Sequence, residues 1–285
     1  MRKPLLLLAV LVAVVAAGRP AMAQAVVSES EREAIRGVPD KWGLALGTFW
    51  QTFDSTIRLD GHTGTGSDIN LEKDLGMQKS LTDVQLGFFY RFGDRHRLDV
   101  TWTQWSRKHS RTLDRDLAWD DVTFNAHATL DSKLSANWAN IIYKYSFFNN
   151  GKTVFGLNGG VSALWTKFNL TGAGEVNGNP VPATLAEAKS TILPIPVIGA
   201  HFELTLTKRL FWRAEGNFFA ANIAGYDGNV NIVNTSLEYY FTRNVGLGAG
   251  FANVSYRVTK TGDNGGDLFV RYAFSGVFAH LAVVF

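Results

Sequence analysis

The segment TDVQLGFFYRF, Thr82–Phe92, places Val84, Leu86, Phe88, Tyr90 and Phe92 on even positions and Asp83, Gln85, Gly87 and Arg91 on odd ones. A period of two puts the first set on one face of an extended strand and the second on the other, whereas a helix would scatter both. The greasy face consists of large aliphatic and aromatic side chains. The opposite face carries charge, amide and glycine.

Working outward, the same alternation recurs along the chain. Leu98, Val100 and Trp102 oppose Asp99, Thr101 and Thr103, and Ile141, Tyr143, Tyr145 and Phe147 oppose Asn140 and Lys144. Phe155, Leu157, Val161 and Trp165 oppose Gly156, Asn158 and Ser162. Ile198, Ala200, Phe202 and Leu204 oppose His201 and Glu203, while Trp212, Ala214 and Phe218 oppose Arg213, Glu215 and Asn217. Val233, Leu237, Tyr239 and Phe241 oppose Asn234, Ser236 and Glu238, and Val245, Leu247, Ala249 and Phe251 oppose a row of glycines. Val277, Leu281, Val283 and Phe285 oppose His280. A tenth strand is predicted over 42–58, its facing left open because Phe49 and Trp50 compete for the apolar side.

The connections alternate in length. Short ones fall at 93–96, 149–152, 207–209 and 242–244. Long or polar ones fall at 60–79, 108–133, 171–190, 224–229 and 259–266. Ten strands joined this way form one closed antiparallel transmembrane β-barrel, an all-β fold with short periplasmic turns and long extracellular loops. Residues 120–130 leave two alternatives open: an extension of the fourth strand, or an extra hairpin that would raise the count to 12. Aromatic residues near the strand ends suit the two membrane interfaces.

Composition agrees with export. The 285 residues include no Cys, 28 Gly, 20 Phe, 8 Trp and 8 Tyr. Arg2 and Lys3 precede an apolar run and Ala21-Met22-Ala23 follows it, so residues 1–23 read as a cleaved signal peptide. Residues 24–41 read as a polar periplasmic lead, with one helical turn over 30–36, and 42–285 as the barrel. Of 28 Lys and Arg, the leader takes Arg2, Lys3 and Arg19, leaving 25 against 25 Asp and Glu. A neutral mature chain gives no support for nucleic-acid binding. After residue 24 no run approaches the roughly 20 apolar residues of a spanning helix.

A signal peptide, alternating amphipathic strands and the terminal Leu281-Ala282-Val283-Val284-Phe285 resemble the small outer-membrane β-barrel proteins of Gram-negative bacteria, the OmpA-like and OmpW-like group. The resemblance implies that Leu281, Val283 and Phe285 form the signal read by the barrel-assembly machinery. It also implies outer-membrane lipids and lipopolysaccharide as surroundings. The segment 69–76 and the later His96-Arg97-Leu98 look like a pattern in barrels of this kind, and that likeness implies no activity.

The inward faces carry the candidate functional residues. With a tight turn at 207–209, Glu203 is expected opposite Arg213 and His201 opposite Glu215. The same count across 93–96 sets Arg91 opposite Asp99, and Lys144 and Glu238 also point inward. Cations and carboxylates nearly balance, and unpaired charges in a narrow lumen carry a desolvation cost of several kcal/mol. A salt-bridged plug is therefore expected, with a gated ion path as the alternative. The rim carries Asp60, His62, Asp68, Asp74, His109, Asp114, Asp116, Asp120 and Asp121, but no constellation of base, orienter and nucleophile is visible among them. The expectation is a barrel without catalysis, cofactor or metal, its oligomeric state left open. The glycines at 246, 248 and 250 lie within a strand, where they leave room for bulky neighbours.

Overall fold

Alternating strands need a partner along each edge, because a backbone N–H or C=O facing lipid without a hydrogen bond costs several kcal/mol. The chain meets this need by closing on itself. The computed structural model describes residues 41–61, 66–176, 179–181, 189–223, 226–261 and 267–285. The signal peptide, nearly all of the lead and its helical turn, and His62 lie outside them.

The strands follow in chain order: β1 (Trp42–Leu59), β2 (Ile69–Asn70), β3 (Ser80–Arg91), β4 (His96–Thr112), β5 (Leu117–Trp119), β6 (Val122–Phe124), β7 (Thr129–Asn149), β8 (Thr153–Gly172), β9 (Gly174–Val176), β10 (Asn179–Val181), β11 (Lys189–Thr207), β12 (Leu210–Ile223), β13 (Tyr226–Tyr240), β14 (Val245–Lys260) and β15 (Leu268–Val284). Ten of them ring the molecule in the order β1, β3, β4, β7, β8, β11, β12, β13, β14, β15, each antiparallel to the next. Pairing of β15 with β1, from Gly43↔Val284 to Leu59↔Leu268, closes the ring. The closure continues beyond the strands, where Trp42 and Phe285 exchange backbone hydrogen bonds of 2.9 and 2.8 Å.

The twelve-strand alternative is thereby excluded. The 120–130 stretch instead contributes to a separate sheet at the loop end, in the order β10, β9, β6, β5. Its β5–β6 hairpin turns at Asp120, whose φ of 56° is one that a short polar side chain tolerates. A second correction concerns the connection assigned to 224–229. Asp227, Gly228 and Asn229 lie inside β13, paired with Asn222, Ala221 and Ala220, so the strands pair as far as Ile223↔Tyr226 and the connection is shorter than expected.

Facing follows the alternation. In β1 the ambiguity resolves with Phe49 only 1% exposed inside and Trp50 47% exposed outside. Leu44, Leu46, Val84, Leu86, Ile141, Leu157, Ile198, Phe218, Val233, Leu247 and Val277 are all exposed on the outer surface. Large apolar side chains in a continuous belt are favoured only against a non-aqueous phase. Leu281 and Phe285 belong to this exterior, and the Phe285 ring stacks on Trp42 at 4.4 Å. The core lies within the ring and under the loop end.

Candidate functional site in the barrel lumen

At the turn end, short hairpins bring inward-facing charges from neighbouring strands to one level. The β11–β12 register sets His201 opposite Glu215 and Glu203 opposite Arg213. Arg213 donates to Glu203 at 3.0 Å and also pairs with Glu238. His280 Nε2 lies 3.4 Å from Glu238. On the other side Lys144 bridges Asp99 at 2.7 Å and Glu215 at 2.5 Å.

The expected Arg91–Asp99 pairing is corrected by the β3–β4 register. Arg91 faces Arg97, and Asp99 faces Phe89. The turn is centred one residue earlier than the sequence count assumed, because Phe92 bonds back to His96 and Gly93 takes a φ of 77°, a conformation glycine adopts without strain. Asp99 instead receives Arg97 Nε at 2.6 Å from its own strand. Arg97, whose guanidinium lies 4.0 Å from the centre of the Phe89 ring, is thus a member that the sequence count missed. Its inclusion sets Arg91, Arg97, Lys144 and Arg213 against Asp99, Glu203, Glu215 and Glu238.

A layer of neutral polar groups continues the network up the barrel. His201 contacts Ser146 Oγ at 3.1 Å and Asn158 Oδ1 at 2.6 Å. Asn158 donates to Asn217, which donates to Glu215 at 2.6 Å. Trp138 donates to Ser162 at 3.0 Å, and Ser162 donates to Asn140 at 2.6 Å while contacting the Tyr256 hydroxyl. Of these, Trp138, Asn140, Ser146, His201 and Asn217 join the charges in lining a cavity of about 250 Å³. Gly248 and Gly156 form part of the shape, since a Cβ at either would overlap the imidazole of His280 or His201 respectively.

Above this cavity the lumen is filled. Phe53, Trp105, Trp138, Tyr272 and Phe274 are buried and pack ring against ring, Phe274 meeting Trp138 at 5.3 Å and Trp105 at 5.4 Å. Trp105 donates to the Tyr272 hydroxyl at 2.8 Å. Arg107, its side chain fully buried, rests over the Phe53 ring at 4.2 Å and donates to Ser55, Tyr272 and the Gln78 carbonyl. Its ion-pair partner is Glu72, whose other oxygen accepts the Ser55 N–H at 2.8 Å. Glu72 lies in the segment 66–79, which turns inward and buries Ile69, Leu71, Leu75 and Met77 against Ile57, Leu59, Leu113, Leu117 and Phe124. Arg107 directly precedes the connection expected at 108–133 and was not among the candidate residues; its odd position in the alternation of β4 is the signal for an inward side chain.

The rim residues do not assemble into an acid–base site. Asp60 lies 3.2 Å from Arg58, Asp68 3.3 Å from Arg58, Asp74 3.0 Å from Arg115 and Asp114 2.6 Å from Arg111. Asp116 accepts the Ala126 N–H. Asp120 and Asp60 are joined by a backbone β-bridge, in which the Asp120 N–H donates to the Leu59 carbonyl at 3.0 Å. Among the described residues neither rim histidine, His109 nor His127, is paired with a carboxylate. No group of three or more His, Asp or Glu suited to a metal ion occurs among the described residues.

No family model matches the chain, and no curated protein matches it in sequence. Among solved structures, the outer membrane protease OmpT from Escherichia coli is similar, with a TM-score of 0.55 and 13% identity over 87% of this chain and 97% of that one. The outer membrane protein OprG from Pseudomonas aeruginosa gives a TM-score of 0.34 and 12% identity over 87% and 98% of the two chains. The toluene transporter TodX of P. putida gives 0.35 and 10% over 88% and 91%. The first establishes a shared barrel fold and the others are too distant to add to it. None transfers an activity.

Proposed function

We propose that this protein is an integral outer-membrane barrel without catalytic activity, its lumen plugged and its loop end serving as a surface for lipopolysaccharide, other surfaces or small ligands. The short-turn end, where both strand termini lie, faces the periplasm, as in barrels of this class. The finer likeness to OmpA-like and OmpW-like proteins rests on the sequence motifs, including Leu281, Val283 and Phe285 as the assembly signal.

One observation carries the reading: two successive layers fill the lumen above the charged cavity. The aromatic layer is borne by strands, and the layer above it is supplied by the inturned segment 66–79 and latched by Arg107–Glu72. A ten-stranded lumen is already far narrower than the 16 to 18 strands that give porins an aqueous channel. The non-catalytic reading draws on the arginine partners of Asp60, Asp68, Asp74 and Asp114, which hold those carboxylates in ion pairs.

The second reading, a narrow channel for ions or small solutes, is favoured by the polar cavity itself. It would need the two filling layers to move. The readings separate on ion flux from sealed vesicles containing the folded protein. The plugged barrel holds a potassium gradient as long as empty vesicles do, whereas rapid loss of the gradient would favour the channel.

A further inference from the structure

The outward face of β4, β7 and β8 changes character over three rows near the loop end. The register aligns Gln104, Asn137 and Trp165 in one row, Ser106, Ser135 and Lys167 in the next, and Lys108, Lys133 and Asn169 in the third. Below them stand Trp102 and the apolar belt, and above them Ser110, Asp131 and Thr171. Each row lies two residues beyond the last, about 6.7 Å along the strand.

Three lysines therefore share one exposed patch on the barrel's outer wall, Lys167 one row and Lys108 and Lys133 two rows past Trp165. Lys108 and Lys133 are direct cross-strand partners, and Lys167 is diagonal to Lys133. Like charges set directly opposite on a sheet are destabilising unless an anion lies between them. Elsewhere at the loop end Arg58, Arg107, Arg111, Arg115 and Arg271 each hold a carboxylate. Among the described residues, none of the three lysines does, and Asp131 is the one acid on the same face nearby. Ser106 and Ser135, whose hydroxyls lie 3.2 Å apart, and Gln104 and Asn137 supply neutral donors beside them.

Tryptophan marks the depth where acyl chains give way to headgroups, and lysine just beyond it lays its stem along the apolar surface and its ammonium among the headgroups. We propose that Lys108, Lys133 and Lys167 form a binding site for the phosphate groups of a phosphorylated glycolipid in the outer leaflet. Its acyl chains lie along the apolar wall below, and its headgroup is held by the ammonium groups and the adjoining hydroxyls and amides. The inference rests on the outer-membrane reading and specifies where that membrane's lipid is bound.

The test uses the full mature barrel, refolded into neutral detergent and titrated with bisphosphorylated lipid A or with its dephosphorylated form, bound lipid being counted by native mass spectrometry. Clusters of basic residues attract anionic lipid additively. The triple variant Lys108→Gln/Lys133→Gln/Lys167→Gln is therefore expected to bind the phosphorylated lipid at least about tenfold more weakly than wild type. Lys108→Arg/Lys133→Arg/Lys167→Arg is expected to retain binding. Lys152→Gln/Lys208→Gln, changed at the turn end, is expected to bind as wild type. Wild type should also prefer the phosphorylated over the dephosphorylated lipid, a comparison that needs no variant. Equal binding of the two lipids, or an unchanged affinity in the glutamine variant, would overturn the site. Insertion into plain phosphatidylcholine vesicles is measured in parallel. A wild-type chain that inserts but shows no phosphate preference refutes this inference alone, and one that does not insert refutes the membrane reading with it.

Discussion

Arg107 and Arg213 close the lumen at two levels by different means. Arg107 is wrapped by aromatic rings and holds the inturned segment through Glu72, whereas Arg213 is shared between Glu203 and Glu238 within a charged layer. Removing one partner of a buried pair strands the other, which costs about 3–5 kcal/mol. Arg107→Ala is accordingly expected to lower the unfolding free energy of the refolded barrel, read from its urea titration, by that order and to move the midpoint down with it. Arg107→Lys should recover little of it, because one ammonium cannot reproduce a fork bonded to Glu72, Ser55 and Tyr272 together. A wild-type midpoint in Arg107→Ala would remove the latch from the account. Gly248→Val is expected to push His280 away from Glu238 and to destabilise the turn end, visible as altered histidine ring resonances in NMR spectra of the folded barrel. At this scale, since parity survives an error of two in register, the sequence showed most of the inward-facing charges, though neither Arg97 nor Arg107. It did not show partners: centring the 93–96 turn one residue too late gave Asp99 to Arg91, when Arg97 on the same strand takes it.

Two kinds of element fill the lumen, and they make separable predictions. The aromatic layer of Phe53, Trp105, Trp138, Tyr272 and Phe274 is carried by β1, β4, β7 and β15, so it stays in place if the segment 66–79 is released. Glu72→Ala, which unlatches that segment, is therefore expected to leave vesicles sealed. Trp105→Ala/Phe274→Ala in the same background is expected to make them leak potassium, since it empties the layer directly beneath. Leakage from Glu72→Ala alone would show that the segment is the only seal. The alternation of β3, β4 and most of the other wall strands was legible because each greasy face is nearly unbroken over a membrane's depth, whereas in β1 Phe49 and Trp50 compete and the facing stayed open. The inturning of 66–79 was not legible, because Ile69, Leu71, Leu75 and Met77 share the odd positions of a strand pattern broken by Lys73, whereas only Ile69–Asn70 pairs as a strand and turns follow it. Residues 120–130 were ambiguous for a related reason: a short hairpin above the membrane carries the same alternation as a strand within it, and only its pairing with β9 tells them apart.

The whole molecule is a ring whose last strand pairs with its first along 17 residue pairs, leaving no open edge in the barrel wall. Its outside suits lipid and its inside is filled by paired charge, neutral polar groups and packed rings in succession. A closed barrel of this kind resists detergent until it is heated. The refolded chain is expected to migrate differently on a gel before and after boiling, with a β-rich circular dichroism spectrum in the unboiled sample; a helical spectrum would contradict the fold. The central claim is that this barrel spans a membrane without opening it, and single-channel recording of the refolded mature chain in a planar bilayer tests it most directly. The account predicts a silent bilayer from protein shown by its gel migration to be folded and inserted. Reproducible current steps in wild type, altered in size or ion selectivity by Arg213→Ala or Glu203→Ala, would contradict it and make the charged layer the lining of a pore.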